Sequence, residues 1–214
     1  MSQAAPMIKW ILVDQAKVQT HLLFSNKKTY VLNGKEHSAS SLEHIFWTPD
    51  HKAYNKGEIS ESEFVDRFIA SEKLDVTRAQ FIEALKSSIV PIPGMHAILS
   101  RLKTHYRLVA VINEGKEWTK YKLDISGFTK LFEKVFCSGE MGIVKPDLRF
   151  YEHILKELSA KPEECLFIDD DEKNCLAAST FKMETILFKD VGQLEKELEK
   201  KGILGFSSKK PRAN

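Results

Sequence analysis

The chain has 214 residues, 43% of them hydrophobic and 29% charged, with a formal net charge of +2. That length can bury one good core with a small accessory domain, and the composition is ordinary for a soluble globular protein. The charge gives no argument for nucleic acid: the one basic cluster, Lys209-Lys210-Pro211-Arg212, reads as a solvated end.

After a loose leader, Ile8-Lys9-Trp10-Ile11-Leu12-Val13 predicts a buried strand that ends at Asp14. From Gln19 to about Ile89 the pattern changes. Thr29-Tyr30-Val31-Leu32 followed by Asn33-Gly34 predicts a strand entering a tight, hairpin-like turn. Ser41 to Trp47 predicts a short amphipathic helix. Ser60 with Glu63 three residues later is a capping-box signature that opens a helix over Glu61 to Ser71. Thr77 starts another, with Phe81, Leu85 and Ile89 on one face. This mainly helical stretch, residues 19–89, interrupts an α/β alternation and reads as an inserted cap whose own core holds Phe46, Trp47, Phe64 and Phe68.

Pro91-Ile92-Pro93-Gly94 is a breaker that returns the chain to the main domain, residues 1–18 and 90–214. A helix over Met95 to Lys103 and a strand over Arg107 to Ile112 follow, the strand ending at Asn113-Glu114-Gly115. Next come a helix from Trp118 to Leu123, a strand over Val135-Phe136-Cys137, and a loop from Ser138 to Gly142 leading to Val144-Lys145-Pro146-Asp147. A helix lined by Phe150, Ile154, Leu155 and Leu158 precedes the strand Cys165 to Ile168; a helix through Leu176 to Phe181, a last strand over Thr185 to Phe188 and a helix over Val191 to Lys201 finish the chain. Alternation of this kind predicts a doubly wound parallel, Rossmann-like sheet.

The stretch Cys165 to Asn174, CLFIDDDEKN, carries the chemistry. Its apolar run is the pattern of a strand buried on both faces, and it stops abruptly in Asp169, Asp170 and Asp171. Open α/β sheets bind ligands just past such strand ends. Adjacent carboxylates repel, and a hard cation such as Mg2+ would offset that. Helix capping accounts for one of the three acids, not for all. Asp14, closing the first strand, would share the same sheet edge. Cys137 and Cys165 lie in apolar, strand-like stretches and Cys175 makes no CxxC pair, so the cysteines predict no disulfide or zinc site. No run is long enough to span a membrane and Met1 to Ile8 shows no signal-peptide pattern, so a reduced, cytoplasmic setting is expected. Ser138 lacks a nucleophile-elbow context.

With Asp14, Asn113, Lys145 and Asp169/Asp170 in this order, the chain resembles the haloacid dehalogenase-like hydrolases from about Ile8 to Gly202. GIVKPDLRFYEHILKEL and LFIDDDEKNCLAA match that superfamily's third and fourth motifs, and NKGEISESEF and PIPG resemble its cap and re-entry segments. The branch is the one with a small helical cap, near sugar-phosphate phosphatases and the phosphatase domain of epoxide hydrolases. The resemblance implies that Asp14 is a nucleophile and Lys145 its charge stabiliser. It implies substrate contacts from Asn113, Glu114 and Lys145, and Mg2+ held by Asp14, the Ala16 carbonyl, Asp169 and Asp170. The implied substrate is a small phosphorylated metabolite, handled by a monomer or homodimer without nucleic acid or membrane.

Three positions depart from the pattern. Ala16 stands where phosphatases of the family carry a second Asp, and Lys17 replaces the Gly or Asn of the following turn. Asn113 replaces a Ser or Thr. The expected function is a Mg2+-dependent phosphatase; the alternatives are a degenerate binding or regulatory protein and a dehalogenase, the last disfavoured by the Asp169-Asp170 pair.

Overall fold

Five parallel strands form the centre of the protein: β1 (Trp10–Val13), β4 (Arg107–Ile112), β5 (Lys134–Cys137), β6 (Cys165–Asp169) and β7 (Glu184–Leu187), in the order β5-β4-β1-β6-β7. A computed structural model describes residues 7–205, so the basic cluster at 209–212 lies outside the described residues. β1 is buried along its whole length because it sits between β4 and β6, with Val13 opposite both Ala110 and Ile168. Strand alternation then sends side chains to two separate cores. Ile11, Val13, Ala110, Ile112 and Ile168 pack on helices α5 (Met95–Lys103), α6 (Lys116–Ile125) and α10 (Val191–Lys200). Trp10, Leu12, Val109, Val111 and Phe167 face α8 (Leu148–Leu158) and α9 (Glu172–Thr180). Both sheet faces are therefore covered, which is why these strands read as continuous apolar runs. The three cysteines are buried and unpaired.

The cap is built from the hairpin β2 (Thr29–Leu32) and β3 (Lys35–Ser38), then α1 (Ala39–Glu43), a 3-10 turn (His44–Trp47), α2 (Pro49–Asn55), α3 (Glu61–Ser71) and α4 (Arg78–Ser87). Asn33 and Gly34 both have positive φ, +48° and +75°, the geometry of a tight hairpin turn. Ser60 caps α3 by accepting from the Glu63 N–H, and Thr77 and Gln80 make a reciprocal capping box on α4.

Three sequence expectations change. The helix expected over Ser41 to Trp47 is a short α-helix running into a 3-10 turn, which buries Ile45 and leaves Trp47 78% exposed, outside the cap core. α2 was not foreseen, although Thr48 caps it and Pro49 opens it. The expected loop at Ser138 contains the one-turn helix α7 (Ser138–Met141), closed by Gly142 in the left-handed region.

The cap is docked on the sheet domain through a seam of close backbone approach. A Cβ on Gly115 would lie 2.0 Å from the Tyr54 ring, and one on Gly57 2.2 Å from the Gly139 carbonyl. Trp118, on α6 of the sheet domain, is fully buried among Phe64, Tyr54 and other side chains of the cap core. No helix among the described residues is long and apolar enough to cross a membrane.

Candidate active site

Chain connections run outward from β1 to β4 and β5 on one side and to β6 and β7 on the other, so a crevice opens between the C-terminal ends of β1 and β6. Asp14 leaves β1 and Asp169 ends β6 at that crevice. Lys145 enters from the loop before α8, with a side chain 1% exposed. Its ammonium donates to Asp14 Oδ1 at 2.6 Å, to Asp169 Oδ2 at 2.7 Å and to the Val111 carbonyl at 2.8 Å, which uses all three of its protons. Burial works against that charge, but the two carboxylates outweigh it and raise the lysine pKa. Burial also pushes the Asp14 carboxyl up to about 7 despite the opposing Lys145, with Asp169 and Asp170 adding to the rise.

The three consecutive acids have three different jobs. Asp169 is fully buried and nearly saturated: Oδ1 accepts from the Asp171 N–H at 2.9 Å and from Asn174 Nδ2 at 3.0 Å, while Oδ2 takes Lys145. Asp170 is partly exposed and pairs with Lys17, Nζ to Oδ2 3.3 Å. Burial raises its pKa, with Lys17 opposing. Asp171 is the helix cap, accepting from the Lys173 N–H at 2.8 Å. One carboxylate oxygen each from Asp14, Asp169 and Asp170 fall within 4.8 Å of one another. Three carboxylates against two ammonium groups leave net negative charge, and such a cluster of hard oxygen donors fits a small divalent cation. Asp14 and Asp170 keep more acceptor capacity than Asp169.

The loop after Asp14 winds tightly. The Gln15 carbonyl accepts from the N–H groups of Val18, Gln19 and Thr20, and the Lys17 N–H donates to the Thr20 carbonyl at 2.7 Å. Lys17 takes the left-handed conformation, φ +59°, that the family fills with Gly or Asn. Ala16 is half-buried and bridges to Thr20 through its backbone. Its methyl leaves position 16 without an acid beside Asp14.

The side chains of Asn113 and Glu114, expected as substrate contacts, have partners within the protein. The Asn113 amide clamps the backbone of Lys145, donating to its carbonyl at 2.9 Å and accepting from its N–H at 2.8 Å. Asn113 thus fixes the lysine loop through both halves of its amide. Glu114 is buried in the cap seam, with Oε2 2.6 Å from Lys122 Nζ and Oε1 3.6 Å from His51 Nε2. Burial pushes its carboxyl up, but Lys122 and His51 together outweigh that and hold it down at about 2. None of Asp14, Lys145, Asp169 or Asp170 is among its partners. Lys122 and His51 were missed in the sequence. The available signal was Lys122 four residues after Trp118, on the buried stripe of α6.

A groove of about 600 Å3 flanks the site, lined by Lys17, His21, Ile92, Phe188 and Val191 among others. It borders the carboxylate cluster through Lys17.

The family model described as haloacid dehalogenase-like hydrolase matches residues 14–188, from Asp14 to just past the last strand of the sheet. Among curated proteins, the chain is 27% identical to drimenol cyclase drtB of Aspergillus calidoustus over 128 residues, 60% of this chain and 22% of the relative. It is 29% identical to a glyceraldehyde 3-phosphate phosphatase of Methanothermobacter thermautotrophicus over 119 residues, 53% of this chain and 52% of the relative. The first of these matches thus spans under a quarter of the relative's length and the second about half. A crystal structure of a HAD family enzyme from Bacteroides thetaiotaomicron, a magnesium complex, superposes with a TM-score of 0.70 at 22% identity, covering 86% of this chain and 94% of that one. That likeness establishes the fold, and the family match includes Asp14, Lys145, Asp169 and Asp170. The chain belongs to the haloacid dehalogenase-like hydrolases.

Proposed function

We propose that this protein is a Mg2+-dependent phosphatase acting on a small phosphorylated metabolite through an aspartyl-phosphate on Asp14. The observation that carries the reading is the buried Lys145, 2.6 Å from Asp14 and 2.7 Å from Asp169, beside a carboxylate cluster open at Asp170. Lys145 holds Oδ1 of Asp14, so Oδ2 is the attacking oxygen. Attack on phosphorus forms the Asp14–phosphorus bond and breaks the ester P–O bond, and the alcohol leaves with a proton taken from water. Water then attacks the phosphorus, releasing inorganic phosphate and restoring the Asp14 carboxylate. Lys145, anchored by Asp169 and kept in register by Asn113, offers a compact point charge to the anion throughout. Bound Mg2+, with Asp14, the Ala16 carbonyl and Asp170 as ligands and Asp169 behind them, would supply the countercharge an anion needs to meet an anion.

Without an acid at position 16, no side chain there protonates the leaving oxygen, so the reading favours substrates whose leaving groups are stable anions. The phosphatase named among the relatives and the magnesium in the Bacteroides neighbour support it. Ala16 and Lys17 favour one second reading, a binding protein that keeps the metal site and has lost turnover.

Hydrolysis of a generic aryl phosphate by the native chain and by Asp14→Asn, with Mg2+ or with chelator, tests both. The phosphatase reading expects activity that disappears in the variant and in chelator. Native protein that binds Mg2+ yet turns over neither aryl phosphate nor a panel of sugar phosphates would establish the binding protein instead.

A further inference from the structure

Lys17 is the unexplained charge at this site. It stands in a left-handed turn, φ +59°, where a non-glycine residue is strained, and four backbone hydrogen bonds fix that turn beside the carboxylates. Its side chain is 56% exposed, yet its ammonium lies against Asp170 Oδ2 at 3.3 Å and does not extend freely into water. Asp170 is the carboxylate that matters most for a cation. The oxygens of Asp169 already hold three donors, whereas Asp170 has Lys17 as its ion-pair partner. An ammonium and a divalent cation drawn to the same carboxylate compete for it, because like charges a few Å apart repel.

We propose that Lys17 is a built-in competitor for the divalent cation: it occupies Asp170 in the metal-free protein and is expelled when the metal binds. The proposal rests on the metal site of the phosphatase reading, and it adds a consequence specific to this chain. Metal affinity is set lower than the carboxylates alone would give, and metal binding releases an ammonium next to the nucleophile. Because Lys17 is more than half exposed, the competition has the size of a surface ion pair, a few-fold and not orders of magnitude.

Two measurements on the full-length, metal-free chain test it. The first is Mg2+ affinity by calorimetry for the native protein, Lys17→Gln and Lys17→Gly. Gln removes the charge at similar length, and Gly removes it while relaxing the turn, so a folding defect in one variant does not spoil the comparison. Both variants are expected to bind Mg2+ about five-fold more tightly. The second is the acylation rate of the Lys17 amine, read by mass spectrometry. It is expected to rise several-fold with saturating Mg2+, and to be equally high in Asp170→Asn without Mg2+. Equal or weaker Mg2+ binding by both variants would overturn the competition and leave the metal site standing, as would a Lys17 acylation rate indifferent to both Mg2+ and Asp170→Asn. Mg2+ binding to none of the proteins would overturn the metal-site reading, and the proposal with it.

Discussion

Glu114→Gln separates a structural role for the cap seam from a role in substrate binding. In the folded protein Lys122 and His51 hold the Glu114 carboxyl at about 2 against a reference value of 4.5. A difference of that size corresponds to about 3 kcal/mol of stability at pH 7. Breaking a buried ion pair by removing one partner gives a similar figure, about 3–5 kcal/mol, because the Lys122 ammonium is left buried without a counterion. For a chain of this length the melting temperature should fall by roughly 6–12 °C. The folded pKa is depressed, so the contribution is fully present above about pH 4.5 and lost as pH falls toward 2, with most of it gone by pH 3. Urea unfolding of both proteins at pH 7 and pH 3 measures the gap directly. A gap that is absent at pH 7, or undiminished at pH 3, would refute the ion-pair argument. An unchanged melting temperature with a raised KM would return Glu114 to the substrate.

Ala16→Asp places an acid where the leaving oxygen departs, and should raise turnover of alkyl phosphates by about 10²–10⁴ while changing aryl phosphates little. A series of esters with graded leaving-group acidity reads this as a flattened dependence. Asn113→Ala removes both hydrogen bonds to the Lys145 backbone, each worth about 1 kcal/mol, and should lower kcat roughly ten-fold or more and the melting temperature by roughly 4–8 °C. A large KM increase at unchanged kcat would mean that the amide contacts substrate after all. Gly115→Ala drives a methyl into the Tyr54 ring and should cost about 1–3 kcal/mol, measured by thermal unfolding. Unchanged stability would mean that the cap is not seated on α6 as described.

Much of the fold was legible because the elements carry local signals. β1, β4 and β6 carry continuous apolar runs, the pattern demanded of strands covered on both faces, and the acidic or polar residues after those runs mark the sheet edge. α3 and α4 announce themselves through Ser60 and Thr77, whose caps satisfy backbone N–H groups within three residues. Where local signals conflict, the reading slipped. The 3-10 turn at His44–Trp47 has a different period from the helix it continues, and its last residue, Trp47, points outward.

The sequence by itself determined the alternating α/β order, the mainly helical stretch between β1 and β4 and the placing of Asp14, Lys145 and the Asp169-Asp170 pair at strand or loop ends. Those features depend on composition and period over short stretches. Tertiary structure alone decided how the polar groups divide the work. Asp169 is saturated by Lys145, Asn174 and a backbone N–H, Asp170 is left to Lys17, and Asp171 is a cap. Asn113 turns to the Lys145 backbone and Glu114 to Lys122, across 32 and 8 residues of chain. No local pattern encodes such pairings, because a carboxylate's charge and partners are fixed by what burial brings within about 3 Å of it.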